Sequence, residues 1–343
     1  YTHKKRAAAS STMAKFLQKQ DLKSLIGNQS VQATTETSSV YACIKTLAAH
    51  NILSVPVLNT KTGNYNGFVD YLDIITFIGS LTVKQKSSFI EELLGEQVVN
   101  KQVSEITRLH GLSQNDPFLP IPETSDALVA CQYFATMGCH RLPVFNAKKK
   151  LIGILTQSDL VRFIDNNADE FDDLMQKQIK DIDIGTSKNL ISISPDVNAL
   201  QAFNIMKKNG INGVPILDKF GHIIGNISAS DIKYSADTTI TNEYFGLKLF
   251  EYLDKPVLKY LHELRDFKQM DVDALCNIPI CCFESSTLKH VVARMVKKKI
   301  HRIYVISKQA IPLRVISLID IIKCILANSG IKEKPKVYDL YWI

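Results

Sequence analysis

Four aspartates in this 343-residue chain stand three positions after a hydroxyl or carboxylate residue: Asp70 and Asp73, Thr156 and Asp159, Ser228 and Asp231, Ser317 and Asp320. Each pair follows an apolar, strand-like run and precedes a helix-like one, so the aspartate falls in a first helical turn. Two chemistries suit that placement. A Ser/Thr-x-x-acid pattern is a capping box, in which side chains satisfy the orphan backbone donors of a helix start. The same carboxylate can also accept both hydroxyls of a ribose, while the neighbouring hydroxyl and the helix N-terminus face a phosphate. An acid that caps the empty site and binds ribose in the filled one satisfies both readings. Charge-assisted bonds of this kind contribute roughly 1.5–3 kcal/mol each, against about 8 kcal/mol in total for a micromolar ligand.

A second recurrence is narrower. His140–Arg141 stands just ahead of Pro143, and His301–Arg302 stands in the same frame ahead of Tyr304. Leu53–Ser54 and Asn212–Gly213 fill that frame before Pro56 and Pro215. An arginine at the start of a covered strand needs partners for its guanidinium, either water at an exposed strand end or an anion. Its recurrence beside histidine in two segments points to a shared anionic ligand.

These residues sit in four alignable segments, beginning at Val31, Phe118, Leu190 and Ile278. Pro56 to Asp73 is 17 positions, and Pro143 to Asp159, Pro215 to Asp231 and Tyr304 to Asp320 are 16 each. Such fixed spacing marks an internal repeat. Each unit begins with a short β-like run and a polar cap: Ser38–Ser39, Ser125–Asp126, Pro195–Asp196 or Ser285–Thr287. An amphipathic helix follows, striped by Val40, Ile44 and Leu47 in the first unit, Leu128, Cys131 and Met137 in the second, Val197, Leu200 and Met206 in the third, and Leu288, Val291 and Met295 in the fourth. An all-apolar strand, a polar turn, a third strand and a second helix complete a β-α-β-β-α plan. One unit leaves a sheet face and helix stripes uncovered, so consecutive repeats are expected to pair.

Composition sets the frame. Hydrophobic residues make up 45% of the chain and the formal net charge is +7, without the long basic face and interleaved aromatics that nucleic acid would require. No apolar run is long enough to span a bilayer. The expected location is the cytoplasm, with the nucleus or a larger assembly as further places. Seven cysteines with no C-x-x-C pair predict reduced, mostly buried thiols, with neither disulfides nor zinc. No P-loop, metal-ligand cluster or nucleophile–histidine–acid arrangement points to an enzyme.

The h-P-V strand, the glycines Gly67, Gly153 and Gly225 before the third strand, and the Ser/Thr-x-x-Asp helix start resemble CBS repeats paired into Bateman modules. Four repeats with CHRLPV at 139–144, IHRIYVI at 300–306, VISLIDII at 315–322 and Ile184–Gly185–Thr186 ahead of repeat three are similar to the gamma regulatory subunits of AMP-activated protein kinase. The resemblance implies an α/β (α+β) fold of four CBS repeats in two Bateman modules forming a flattened disc. It places module one at 14–167, with repeats at about 22–80 and 102–166, and module two at 168–330, with repeats at about 180–237 and 272–328. A flexible tail at 1–13 and a C-terminal tail at 331–343 flank them. By the same resemblance, AMP, ADP or ATP is held with Asp73, Asp159, Asp231 and Asp320 on riboses, and His140, Arg141, His301 and Arg302 on phosphates. Thr156, Ser194, Ser228 and Ser317 assist. The implied partners are the catalytic and scaffold subunits of a kinase, and the alternative is a scaffolding subunit of a larger assembly with vestigial or permanently filled sites.

Four departures imply fewer than four occupied sites: Leu53 where a phosphate-binding arginine is usual, Asp70 in the hydroxyl position, Ser158 before Asp159, and Arg314 in place of the glycine. Asp231 and Asp320 are the expected ribose ligands. The stretch from Asp165 to Asp183 reads as an acidic linker with a helix at 171–179. The inserts at 81–111 and 238–275 read as helical.

Overall fold

The computed structural model describes residues 12–83, 100–110, 116–232, 251–267 and 279–331. Helix α1 (Leu22–Ile26) precedes repeat one, which comprises β1 (Thr34–Thr35), α2 (Val40–Ala49), β2 (Ser54–Leu58), β3 (Tyr65–Asp70) and α3 (Tyr71–Val83). Helix α4 (Val103–His110) leads to repeat two: β4 (Ile121–Pro122), α5 (Ala127–Met137), β5 (Arg141–Phe145), β6 (Leu151–Thr156) and α6 (Gln157–Asn166). After the short α7 (Asp172–Met175), repeat three has α8 (Ala199–Asn209), β7 (Gly213–Leu217), β8 (Ile223–Ser228) and a 3-10 turn at Ala229–Asp231. Helix α9 (Val257–Phe267) is followed by repeat four: β9 (Cys281–Cys282), α10 (Leu288–Lys298), β10 (Arg302–Ile306), β11 (Pro312–Ser317) and α11 (Leu318–Asn328).

The four hairpins share one register. Each carries a bulge at the same place, between Val57 and Leu58, Val144 and Phe145, Ile216 and Leu217, and Val305 and Ile306. The extra residue lies in the third strand, next to Gly67, Gly153, Gly225 or Arg314, which pair with Val57, Val144, Ile216 and Val305. Proline also leaves a trace. In repeat two the parallel strand begins opposite Val144, one residue beyond Pro143, because proline has no N–H to give the ladder. Repeat four has Tyr304 instead, whose N–H reaches Ile280 O at 3.5 Å, and its parallel pairing starts at that residue.

Two compact units result. The first holds residues 12–31, 116–190 and 280–331, with repeats two and four; the second holds 32–83, 100–110, 191–232, 251–267 and 279, with repeats one and three. In the first, α11 packs on α5 and α6, and its Ile321, Ile322 and Ile325 are fully buried, which stabilises by roughly 1.5–3 kcal/mol for each side chain. In the second, α3 packs on α8 around Phe77, Phe203 and Met206. The compact units therefore differ from the consecutive halves expected on either side of residue 167. Helix α3 of repeat one is covered by α8 of repeat three.

Each leading segment docks, within its own compact unit, on a repeat other than the one it precedes. The segment around α1, ahead of repeat one, docks on repeat two: Leu22 N–H donates to Ser125 O at 3.0 Å and Ala127 N–H to Gln20 O at 2.8 Å. Helix α4, ahead of repeat two, docks on repeat one through Val40 N–H to Lys101 O (2.7 Å) and Val103 N–H to Ser38 O (2.9 Å). Residues 177–179 make the same pair of bonds to repeat four, and 255–257 make them to repeat three.

Two local expectations are corrected. The stretch from Asp165 to Asp183 is no free linker, since Phe171, Leu174, Met175 and Ile179 are buried in the first unit's core and the helix is only Asp172–Met175 between 3-10 turns. In repeat three the cap is Asn198, not Pro195–Asp196: its side chain accepts from Gln201 N–H at 2.8 Å, so Val197 precedes the helix. Of the inserts, α4 and α9 are helical, and most of the rest lies outside the described residues, as do 1–11, 332–343 and Cys276.

Candidate functional site

In every repeat the third strand ends on the hydroxyl or acid, which pairs across the hairpin with the first residue of the second strand: Asp70 with Ser54, Thr156 with Arg141, Ser228 with Gly213, Ser317 with Arg302. Directly opposed residues present their side chains on one face, roughly 5 Å apart at Cβ. The residue before that strand is pinned too. The carbonyls of Leu53, His140, Asn212 and His301 accept from the N–H of Tyr71, Gln157, Ala229 and Leu318, at 3.0–3.2 Å. Histidine, arginine, hydroxyl and aspartate are thus gathered at one corner of each even repeat. In the odd repeats the same corner lacks the basic pair.

The capping box is realised four times. One carboxylate oxygen, Oδ2, accepts from the N–H of Asp70, Thr156, Ser228 or Ser317 at 3.1, 3.0, 2.7 and 2.8 Å. The hydroxyls of Thr156, Ser228 and Ser317 donate to that same oxygen at 2.7, 2.8 and 2.6 Å. Tyr260 of α9 donates to the Asp231 carbonyl at 3.2 Å and fixes that turn.

Oδ1, the oxygen left over by capping, distinguishes the repeats. Asp73 Oδ1 is paired with Lys207 Nζ, and the aspartate is only 3% exposed. Burial, with the Asp70 carboxylate beside it, pushes the Asp73 carboxyl up to about 7 against the downward pull of Lys207. Asp159 Oδ1 meets Arg162 Nη2 at 2.6 Å, on a largely exposed side chain. Asp320 Oδ1 accepts no hydrogen bond among the described residues. Ser194 sits apart from these corners as an exposed turn residue whose Oγ accepts from Asp196 N–H at 3.3 Å.

Asp116 is a site residue that sequence reasoning missed. Its Oδ2 lies 2.7 Å from Arg141 Nε, and its Oδ1 accepts from His140 N–H at 2.6 Å, with His140 Nδ1 at 3.7 Å. Burial alone would push this carboxyl up, but Arg141 and His140 overcome it and hold the group below the usual carboxylate range. Nothing in its sequence neighbourhood marks it. Lys207 was missed as well, because Lys207–Lys208 reads as the ordinary cationic end of a helix.

Ahead of repeat three, Thr186 extends the repeat-four sheet by exchanging bonds of 2.8 and 2.9 Å with Val315. Gly185 (φ +82°) permits it, since a Cβ there would lie 2.4 Å from the Val315 carbonyl oxygen. Arg314, in the place of the glycine, ties Ile184 O (3.3 Å) to Glu284 (3.1 Å). The described residues contain six unbridged cysteines and no His/Cys/Asp/Glu group able to hold a metal ion. No helix among them is long and apolar enough to cross a membrane.

With the β-α-β-β-α plan complete in three repeats, its described part present in the third, and this recurring corner in place, the class is defined: the CBS domain profile matches residues 105–166, 179–236 and 272–327, just over half of the chain, and the chain belongs to the CBS-domain family. Repeat one, outside the matched stretches, has the same element order. The chain is 28% identical over 290 residues to Protein SDS23 of Kluyveromyces lactis, covering 78% of this chain and 52% of that protein. It is 26% identical over 290 residues to Protein SDS24 of Saccharomyces cerevisiae, covering 78% and 51%. It thus spans about half the length of these curated relatives. Among solved structures, MJ1225 of Methanocaldococcus jannaschii, proposed as an archaeal homologue of γ-AMPK, shares the fold with a TM-score of 0.65 at 18% identity, over 88% of this chain and 99% of that one.

Proposed function

We propose that this chain is a non-catalytic regulatory subunit that binds adenine nucleotides, AMP, ADP or ATP, at its CBS repeats and thereby controls a protein partner, a protein kinase complex. The observation that carries this reading is the corner of repeat four. There Arg302 and Ser317 face one another across the hairpin, and Asp320 keeps Oδ1 toward no described donor while Oδ2 caps the helix. Ribose hydroxyls suit that oxygen, and phosphates suit Arg302, His301 and the start of α11. Ser228 and Asp231 give repeat three the same acid and hydroxyl without the basic pair. Control of the partner follows if AMP and ATP bind two conformations with different affinity.

Calorimetry of the chain with AMP, ADP and ATP tests this. Binding in the micromolar range, about 8 kcal/mol, is expected for at least one nucleotide, weakened by Asp320→Asn. No binding of any nucleotide would leave the second reading, a scaffolding subunit of a larger assembly, which the internally paired charges at Asp73 and Arg141 favour.

A further inference from the structure

Helices α3 and α8 pack antiparallel, and their contacts fix a register. A Cβ on Gly79, in the later part of α3, would lie 2.9 Å from Leu200 Cδ1 near the start of α8. Seven residues on from Leu200, along the same face of α8, Lys207 reaches Asp73 in the first turn of α3. Gly79 thus allows the close approach that delivers an ammonium group to the carboxylate of repeat one.

That carboxylate is the repeat's equivalent of Asp231 and Asp320, and both its oxygens are engaged: Oδ2 by Asp70 N–H at 3.1 Å, Oδ1 by Lys207. The Lys207 side chain is 23% exposed and that of Asp73 4%, so the pair is largely withdrawn from water. Neutral ribose hydroxyls could take Oδ1 only by displacing an ammonium, leaving a partly buried cation without its counter-charge. A phosphate would also meet Asp70, which stands where the other repeats place a hydroxyl, and like charges repel.

We propose that repeat one is self-liganded: Lys207 of repeat three occupies the carboxylate that Asp73 would offer a ribose, so repeat one takes no nucleotide and its aspartate serves to lock α3 to α8. The proposal rests on the nucleotide reading for the remaining repeats and names Lys207 as the residue that sets which repeats are filled.

The test uses the full chain, AMP as the probe, and the variants Asp73→Asn, Lys207→Met and their combination, at about pH 8, where the carboxyl is ionised. Urea midpoints and AMP titrations are read in parallel. Lys207→Met is expected to lower the midpoint in the unmodified chain and to lower it less in the Asp73→Asn background, the signature of a direct pair. AMP affinity and stoichiometry stay within about twofold of the unmodified chain in Asp73→Asn and in the double variant, whereas Lys207→Met, which frees Asp73 Oδ1, gains binding at one further site, and no gain there would overturn the role given to Lys207. Additive midpoint losses would overturn the pairing, and an affinity loss of about tenfold or one site fewer in Asp73→Asn would overturn the self-ligation. An unmodified chain that binds no AMP would overturn the nucleotide reading instead, a result separate from either.

Discussion

The two compact units carry the same fold and balance their buried charge in opposite ways. In the unit of repeats two and four, the recurrent cation Arg141 is met by an acid, Asp116, from just ahead of its own repeat. In the unit of repeats one and three, the recurrent acid Asp73 is met by a cation, Lys207, from the other repeat. One unit keeps arginines at its corners, and the other spends its aspartate on helix packing. Shared fold thus fixes where a charged group stands, while the neighbour that neutralises it decides whether a ligand can use it.

The largest effect expected from disturbing this contrast is in the first unit. Asp116→Ala removes the carboxylate that meets Arg141, 14% exposed, and should cost about 3–5 kcal/mol in urea or thermal unfolding. A loss below about 1 kcal/mol would show that water replaces the carboxylate and that the pair is not buried in effect. Asp320→Asn should weaken AMP by roughly 10–100-fold, about 1.5–3 kcal/mol, with a smaller change in folding stability; stability loss at unchanged affinity would assign Asp320 to capping alone. Gly185→Ala should cost about 1–3 kcal/mol through strain at positive φ and contact with the Val315 carbonyl, seen as faster amide exchange at Thr186 and Val315.

The two acids should also respond to pH with opposite sign. Asp116 is held below its unfolded value, so its contribution is complete above the ordinary carboxylate range and is lost as pH falls through the lower folded value. Asp73 is raised, so the chain should lose stability relative to Asp73→Asn as pH rises from the ordinary carboxylate range to about 7. Parallel slopes in the two comparisons would break the contrast between the units. The smallest effect belongs to Arg162→Ala: an exposed partner of Asp159 should contribute less than about 1 kcal/mol.

The repeat plan was legible because hairpin and helix periodicities are local, and the capping positions Asp73, Asp159, Asp231 and Asp320 follow from spacing alone. What the sequence could not show is long-range. Lys207 lies 134 residues from Asp73 and 24 residues separate Asp116 from His140, and no local pattern marks either partner. The contact of α3 with α8 is long-range in the same way: an apolar face announces that it will be covered, not by which helix. Repeat three's cap slipped because Pro195–Asp196 offers an earlier start, whereas the helix begins on the capping box of Asn198 with Gln201, against which residues 255–257 dock.

Hydrogen exchange of the full chain with and without AMP would test the central claim most directly, since it reads all repeats in one sample. The account predicts slowed exchange at the start of α11, residues 317–322, and no change at 70–75, where Lys207 already holds the carboxylate. Protection at 70–75, or none at any helix start under saturating AMP, would contradict it.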